Sequence, residues 1–377
     1  MLNLANIPII DNHCHSMRLV QQMDILQFRS YFTEATDQSF AQMHAPNTVY
    51  YLWILRQMAT FYGCGRTEEE VIAARNSLSA DVLLQRLVQA ANIETLVLDL
   101  AYPPPEECYP VERIGQVGQC RTARMLRLET LLQDLIITYD DFDEIEARFL
   151  VEVSNIRERG YCALKSIVAY RTGLNISQWK KDEAVASFVQ ARKEVAYKGQ
   201  LRLAHKPLID YFLHLAFRNA SEQQIPVQFH TGYGDSDTDM HLGNPLQLRD
   251  VLERSDYRGM QVILLHESYP YCQLGAYLAT VYPHVYFDLS YMIPFIDKLE
   301  MLAFTRQALS VAPASKLMYS SDGINVPEMY WAGALRGRNI IGHVLQEMID
   351  ADEIDTEQAY HMAQLILRDT ASSVYKL

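Results

Sequence analysis

The sequence predicts a (β/α)8, or TIM, barrel. Three observations carry that expectation. Eight short apolar runs bounded by polar or turn residues recur along the chain, most of the intervals between them have helical spacing, and no glycine-rich phosphate turn follows the first run. A doubly wound open sheet is the competing fold. When such a sheet binds nucleotides it usually carries that turn after its first strand. Here the position holds Asp11-Asn12-His13-Cys14-His15.

The first run, 7–10, leads into that pentapeptide. In an extended strand alternate side chains share a face, so His13 and His15 are expected to point the same way, about 7 Å apart along the chain. Two imidazoles on one strand end lose little entropy when they bind a divalent ion. Cys14, on the opposite face, is assigned to packing. The interval that follows is too long for one crossover helix, and 17–92 reads as a helical insertion. Within it Thr67-Glu68-Glu69-Glu70 fits a capping box, and Val82, Leu83, Leu87 and Val88 form part of an apolar stripe. Packing annex and pocket wall are both open roles for it.

The second and third strands are expected at 95–101 and 135–139, and the fourth at 163–170. Lys165 lies inside the fourth, where an unpaired ammonium is costly to bury. Two readings account for it: a structural ion pair, or carboxylation by carbon dioxide to an anionic carbamate able to bridge two cations. The fifth strand, 226–229, ends at His230, and Thr231-Gly232-Tyr233-Gly234 follows as a turn. His266 closes the sixth, 262–265. Either histidine alone could be a hydrogen-bonded core residue, but both stand at the same place in successive units. The seventh strand is expected at 285–289 and the eighth at 317–319, after which Asp322 precedes Gly323; aspartate before glycine is also a common turn former. Beyond Arg336 the tail reads as helical. No repeat or linker marks a place to cut the chain, so 1–377 is read as one barrel.

Composition narrows the partners. A formal net charge of −13 disfavours nucleic acid and anionic membranes, which call for basic surfaces. The apolar fraction of 49% is ordinary for a globular protein. No stretch is apolar enough to span a bilayer and no secretory leader pattern opens the sequence, so a cytoplasmic protein is expected. Six cysteines with no CxxC pair argue against a disulfide framework and a zinc knuckle. Arg171, just past the fourth strand, could grip a substrate carboxylate or form a surface salt bridge. Asp235, Asp237 and Asp239 alternate before His241 without making an EF-hand, since Met240 and Leu246 occupy its sixth and twelfth positions. They read as lining the mouth or as solvated. The remaining histidines, His44, His205, His214, His284, His343 and His361, are read as structural.

The order His-x-His, Lys, His, His, Asp at strands one, four, five, six and eight resembles the binuclear amidohydrolase superfamily. The stretches Phe229-His230-Thr231-Gly232-Tyr233-Gly234-Asp235, Leu265-His266-Glu267-Ser268-Tyr269-Pro270-Tyr271, Tyr286-Phe287-Asp288-Leu289-Ser290 and Tyr319-Ser320-Ser321-Asp322-Gly323 resemble its amidohydrolase-2 group. The likeness extends to the domain that some plant and fungal proteins carry fused to a glutamine-synthetase-like domain. No synthetase-like stretch lies within these 377 residues.

The resemblance implies that His13, His15 and Asp322 hold one metal ion and His230 and His266 a second. Carboxylated Lys165 would bridge the two with a hydroxide, and Asp322 would carry protons. The implied cofactors are two divalent ions, zinc or manganese by donor type. The implied activity is hydrolysis of an amide or of an ester or lactone carbonyl in a small molecule, possibly one bearing a carboxylate. The alternatives are a mononuclear decarboxylase of the same superfamily and a binding protein that kept the fold without catalysis. Barrels of this type commonly form homo-oligomers, though no segment identifies an interface.

Overall fold

The computed structural model describes residues 2–19 and 22–377. Its eight strands are β1 (Ile9–His15), β2 (Ile93–Asp99), β3 (Arg121–Arg127), β4 (Tyr161–Ser166), β5 (Val227–Phe229), β6 (Val262–Leu264), β7 (Val285–Ser290) and β8 (Leu317–Ser320). They form one sheet in sequence order, and the registered pairs, such as β1 with β2 and β4 with β5, are parallel. With helices between them this is the expected (β/α)8 barrel. Residues of β5, β6 and β8 are buried on both faces, as the interior strands of a parallel barrel must be. Beyond the end of β8, the Asp322 amide donates to the His13 carbonyl (3.1 Å) and the His15 amide to the Gly323 carbonyl (2.8 Å), which joins the last strand to the first.

The long interval after β1 contains α1 (Ile25–Ser30), α2 (Gln38–Met43), α3 (Val49–Tyr62), α4 (Glu68–Asn76) and α5 (Ala80–Ala90). Their starts are written in the sequence. Asp24, Asp37, Thr48, Thr67 and Ser79 each cap the following helix with a side-chain oxygen, and Thr67 with Glu70 completes the expected capping box. Of the expected stripe, Leu83, Leu87 and Val88 are buried and Val82 is exposed. Val20 and Gln21, part of the expected insertion, lie outside the described residues, as does Met1 of the expected barrel.

The remaining helices are α6 (Val111–Gly118), α7 (Leu128–Thr138), α8 (Phe142–Ser154), α9 (Lys181–Lys198), α10 (Lys206–Gln223), α11 (Arg249–Leu252), α12 (Cys272–Val281), α13 (Lys298–Val311), α14 (Pro327–Asp350), α15 (Thr356–Gln364) and α16 (Thr370–Tyr375). The tail is thus helical, as expected.

One strand expectation is corrected. The run 135–139 is not β3 but the end of α7, and β3 lies at Arg121–Arg127. Leu128, Leu132 and Ile136, four apart, are buried together on one face of the helix, whereas β3 itself carries three arginines and is only partly buried. A short apolar run has the same composition in either state. The other strands fall within a few residues of their expected places, with β1 running on through His15.

The chain falls into two compact units, each built from two stretches: Met1–Ala123 with Asp288–Ser372, and Arg124–Phe287 with Ser373–Leu377. Strands β3 and β7 each begin in one unit and end in the other. In the first, the buried pair Arg75 Nε to Glu328 Oε1 (2.7 Å) ties α4 to α14, and the Tyr62 hydroxyl on α3 donates to the same carboxylate (2.9 Å). In the second, Phe142 of α8 packs edge-on against Phe188 of α9 and Phe212 packs against Phe149.

Candidate metal centre

Within the first unit, β1 and the end of β8 bring three of the expected ligands together. The Nε2 atoms of His13 and His15 each lie 3.5 Å from Oδ1 of Asp322, and the two rings meet edge to face with centroids 5.0 Å apart. They do share a face of the strand. The pairing of β1 with β2 shifts register between Asp11 and Cys14, an irregularity of the kind that re-aims side chains near a site. Cys14 is buried on the other side, its Sγ 3.5 Å from the Val97 carbonyl, consistent with packing.

Asp322 holds an unusual backbone conformation, φ 52°, in the left-handed region. The chain around it is over-determined, which is what such a conformation requires. Ser321 donates from its amide (2.8 Å) and its hydroxyl (2.5 Å) to the two oxygens of Asp11, and the Gly323 amide donates to the Ser321 hydroxyl (2.8 Å). Burial pushes the Asp11 carboxyl up to about 8; the Ser321 hydrogen bonds pull it down, and nearby Asp288 and Asp322 add to the rise. Asn12 donates to Asp288 (2.6 Å) and to the Tyr319 carbonyl (2.9 Å), while Ser290 donates to the other Asp288 oxygen (2.6 Å). Tyr330 on α14 holds the His15 carbonyl (2.6 Å). His15 Nδ1 is buried and has no hydrogen-bond partner among the described residues.

In the second unit, Lys165 sits on β4 with 1% of its surface exposed, in register with Arg127 of β3 and Gln228 of β5. His230 follows β5, its amide donating to the Ser166 carbonyl (3.0 Å), and His266 follows β6; the two rings approach to 4.4 Å between centroids. His230 Nε2 lies 2.6 Å from the Tyr233 carbonyl. A carbonyl only accepts, so Nε2 carries the proton and the ring's lone pair is at Nδ1. Three consecutive residues, His266, Glu267 and Ser268, have positive φ (61°, 51° and 48°). Thr231 clamps this turn by donating to the Leu265 carbonyl (2.6 Å) and meeting the Ser268 hydroxyl (2.8 Å). Gly232 is obligatory beside it: φ is +77°, and a Cβ there would stand 2.3 Å from the Tyr269 carbonyl oxygen.

Several residues that shape the site carried no assigned role in the sequence reading. Glu129, in the first turn of α7, is buried and accepts from the Ser166 hydroxyl (2.6 Å) and the Ile167 amide (2.9 Å), fixing the chain just past Lys165; burial raises its carboxyl above the ordinary range. Asp11 and Asp288 anchor the ends of β1, β7 and β8 in the same way. Their detectable signal is the one that marked Lys165, a charge inside an apolar strand. Arg171 is half-buried, and among the described residues no carboxylate stands at ion-pair distance from it. Asp237 pairs with Arg202 (3.0 Å), while Asp235 and Asp239 accept from the amides two residues on. Of the histidines read as structural, His214 bonds Tyr257 (2.7 Å) and His205 pairs with Glu194 (3.2 Å).

The donors are imidazole nitrogen and carboxylate oxygen in the first unit and imidazole nitrogen and the Lys165 amine in the second, with no thiolate among them. That set fits a borderline or hard divalent cation. Among the described residues no helix is long and apolar enough to cross a membrane.

Comparison with known proteins agrees with this chemistry. A family model described as amidohydrolase matches residues 183–377. The chain is similar to the crystal structure of a protein designated a metal-dependent hydrolase from Lactobacillus casei, at 28% identity over 100% of this chain and 98% of that one, with a TM-score of 0.89. It is 26% identical to the protein fluG of Emericella nidulans over 98% of its own length and 46% of that protein's, so it spans about half of that curated relative. A uronate isomerase from Thermotoga maritima superposes with a TM-score of 0.70 at 14% identity, covering 98% of this chain and 95% of that one, which is a likeness of fold.

Proposed function

The chain belongs to the amidohydrolase family, whose model matches 183–377, and from that premise we propose that it is a metal-dependent hydrolase acting on an amide or lactone carbonyl of a small molecule. The observation that carries this reading is the convergence of His13 and His15 on one oxygen of Asp322, 3.5 Å from each. Two imidazoles and a carboxylate on adjoining strand ends, with a buried unpartnered nitrogen on the His15 ring, are the makings of a cation site.

In the proposed arrangement His13, His15 and Asp322 would hold one divalent ion, His230 and His266 would hold a second, and Lys165 would contribute as its carbamate. Zinc suits the donors, and manganese is compatible with them. When bound, such ions lower the pKa of water and polarise a carbonyl. Asp322 takes the proton of the attacking water and returns it to the leaving group. Its left-handed backbone, braced by the Ser321–Asp11 hydrogen bonds, sets the direction in which the side chain leaves the strand end.

The test is elemental analysis of protein purified without chelator, alongside a hydrolysis screen of amides and lactones. About two equivalents per chain, the stoichiometry of a carbamate-bridged pair, together with turnover, are expected. In Lys165→Ala both metal content and turnover should fall. A single metal unaffected by that substitution would move the assignment to a mononuclear decarboxylase, and no metal after supplementation would leave a binding protein.

A further inference from the structure

Between α3 of the helical insertion, the start of α13 and α14 lies a cavity of about 190 Å³, all of it within the first unit. Val49 and Trp53 line it from α3, Lys298 from α13, and Leu335, Arg336 and Ile340 from α14; two amide side chains complete the lining. It has a dry side and a wet one. Arg336 and Ile340 are buried, whereas Lys298 is exposed, and Val49 and Leu335 leave 63% and 37% of their surface uncovered. A concave site with mostly apolar walls and a few polar groups is the ordinary form of a small-molecule pocket.

Trp53 is the braced part of the wall. The Arg336 guanidinium packs over its ring, with Cζ 5.0 Å from the centroid, and stands 5.7 Å from the ring of Tyr50, while Nη2 donates to the Ile296 carbonyl (2.6 Å). Arg336 is thus engaged in holding the indole, as a cation over a ring does, and is no cation for a ligand. Lys298 differs. No acidic residue lines the cavity, in a chain with 46 acidic and 33 basic residues, and Lys298 has no ion-pair partner among the described residues. An ammonium on the wet side keeps its hydration at no cost and still attracts an anion seated beside it.

We infer that this cavity binds a small aromatic carboxylate, its ring against Trp53 and Ile340 and its carboxylate beside Lys298. A dry cavity of about 150 Å³ is enough for benzene, so one of about 190 Å³ takes a single ring with one substituent. The braced indole offers that ring an offset-stacked partner. The occupant bridges α3 and α14, and so adds to the fastening of the insertion. None of the lining residues belongs to the proposed metal centre, and the inference stands apart from the hydrolase reading.

The experiment is calorimetric titration with benzoate, with benzyl alcohol and benzylamine as the neutral and cationic probes, on chelator-treated protein so that no metal competes for the carboxylate. Tryptophan fluorescence is followed in parallel. Benzoate is expected to bind with a Kd of about 1 mM or below and to shift the emission. Lys298→Gln should weaken benzoate about 2- to 5-fold, the worth of an exposed ion pair, and leave benzyl alcohol unchanged. Leu335→Glu, a substitution at a partly exposed position, should weaken benzoate more than benzyl alcohol by setting a like charge at the mouth. Trp53→Leu should weaken both and abolish the emission shift, and a melting curve for each variant checks that it is folded. Benzoate bound no better than benzyl alcohol, or less well than benzylamine, would overturn the anionic ligand. Benzoate bound equally by folded Trp53→Leu and Leu335→Glu proteins would overturn the site. Self-association that Leu335→Glu abolishes and benzoate does not affect would overturn it as well, by showing that a second copy of the chain covers this face.

Discussion

At the scale of a single residue, the proposed chemistry rests on Asp322. Its φ of 52° costs on the order of 1–3 kcal/mol for a residue other than glycine. The surrounding hydrogen bonds from Ser321 to Asp11 oppose relaxation, so the strain is kept where it aims a carboxylate at two imidazoles. Asn at this position tolerates the same backbone region and keeps the shape, but cannot accept a proton. Asp322→Asn is therefore expected to lower kcat about 10²–10⁴-fold, the usual range for a lost acid–base group, with a melting temperature close to that of the parent when both are chelator-treated. A variant retaining more than a tenth of the parent rate would remove Asp322 from the proton path. The sequence made this residue visible only by its place after the eighth apolar run. Its conformation, and the part played by Asp11, became evident in the packing.

At the scale of elements, the helical insertion is fastened by a contact between residues 253 apart, Arg75 on α4 and Glu328 on α14. Both side chains are buried, and Tyr62 on α3 shares the carboxylate. Removing one member of a buried pair strands the other, which typically costs about 3–5 kcal/mol. Arg75→Met is expected to lower the denaturant midpoint by that equivalent, and adding Glu328→Gln should recover part of it because no charge is then left behind. A loss below about 1 kcal/mol in the single variant, the level of an exposed pair, would show that the pair does not hold the insertion. The helix starts, by contrast, were legible: Thr67 with Glu70 is a local signal read from four residues. The misplaced third strand shows the opposite limit. Residues 135–139 have strand composition and a helical fate, because Leu128, Leu132 and Ile136 bury one stripe of α7.

For the whole molecule, the proposed ligands come from strands far apart in sequence, so metal binding through them would be a property of the folded chain alone. An ion that binds the native state and not the unfolded one stabilises it by about 4.1 kcal/mol at a thousandfold excess over its Kd. Dialysis against EDTA is therefore expected to lower the thermal midpoint by several degrees, with recovery on adding zinc or manganese and none on adding magnesium, whose preference for an all-oxygen shell the histidines do not meet. An unchanged midpoint in scanning calorimetry would mean that the native chain holds no such ion. Neither the barrel nor the order of its ligands needs a long-range contact to be read. Seven of the eight apolar runs fall at strands, and polar residues stand at or near the ends of the first, fourth, fifth, sixth and eighth.

The sequence by itself determined the barrel, the strand ends that carry His13, His15, Lys165, His230, His266 and Asp322, and the helix starts, because each is written in spacing or in a cap within a few residues. Only the tertiary structure decided which residues brace the chain around them: Asp11 on Ser321, Asp288 on Asn12, Glu129 on Ser166, and the three positive-φ residues from His266. Among the described residues it also left Arg171 without a paired carboxylate while giving Arg202 one. These depend on partners brought together by folding, and the free energy of a buried charge is set by what surrounds it rather than by its neighbours in the chain.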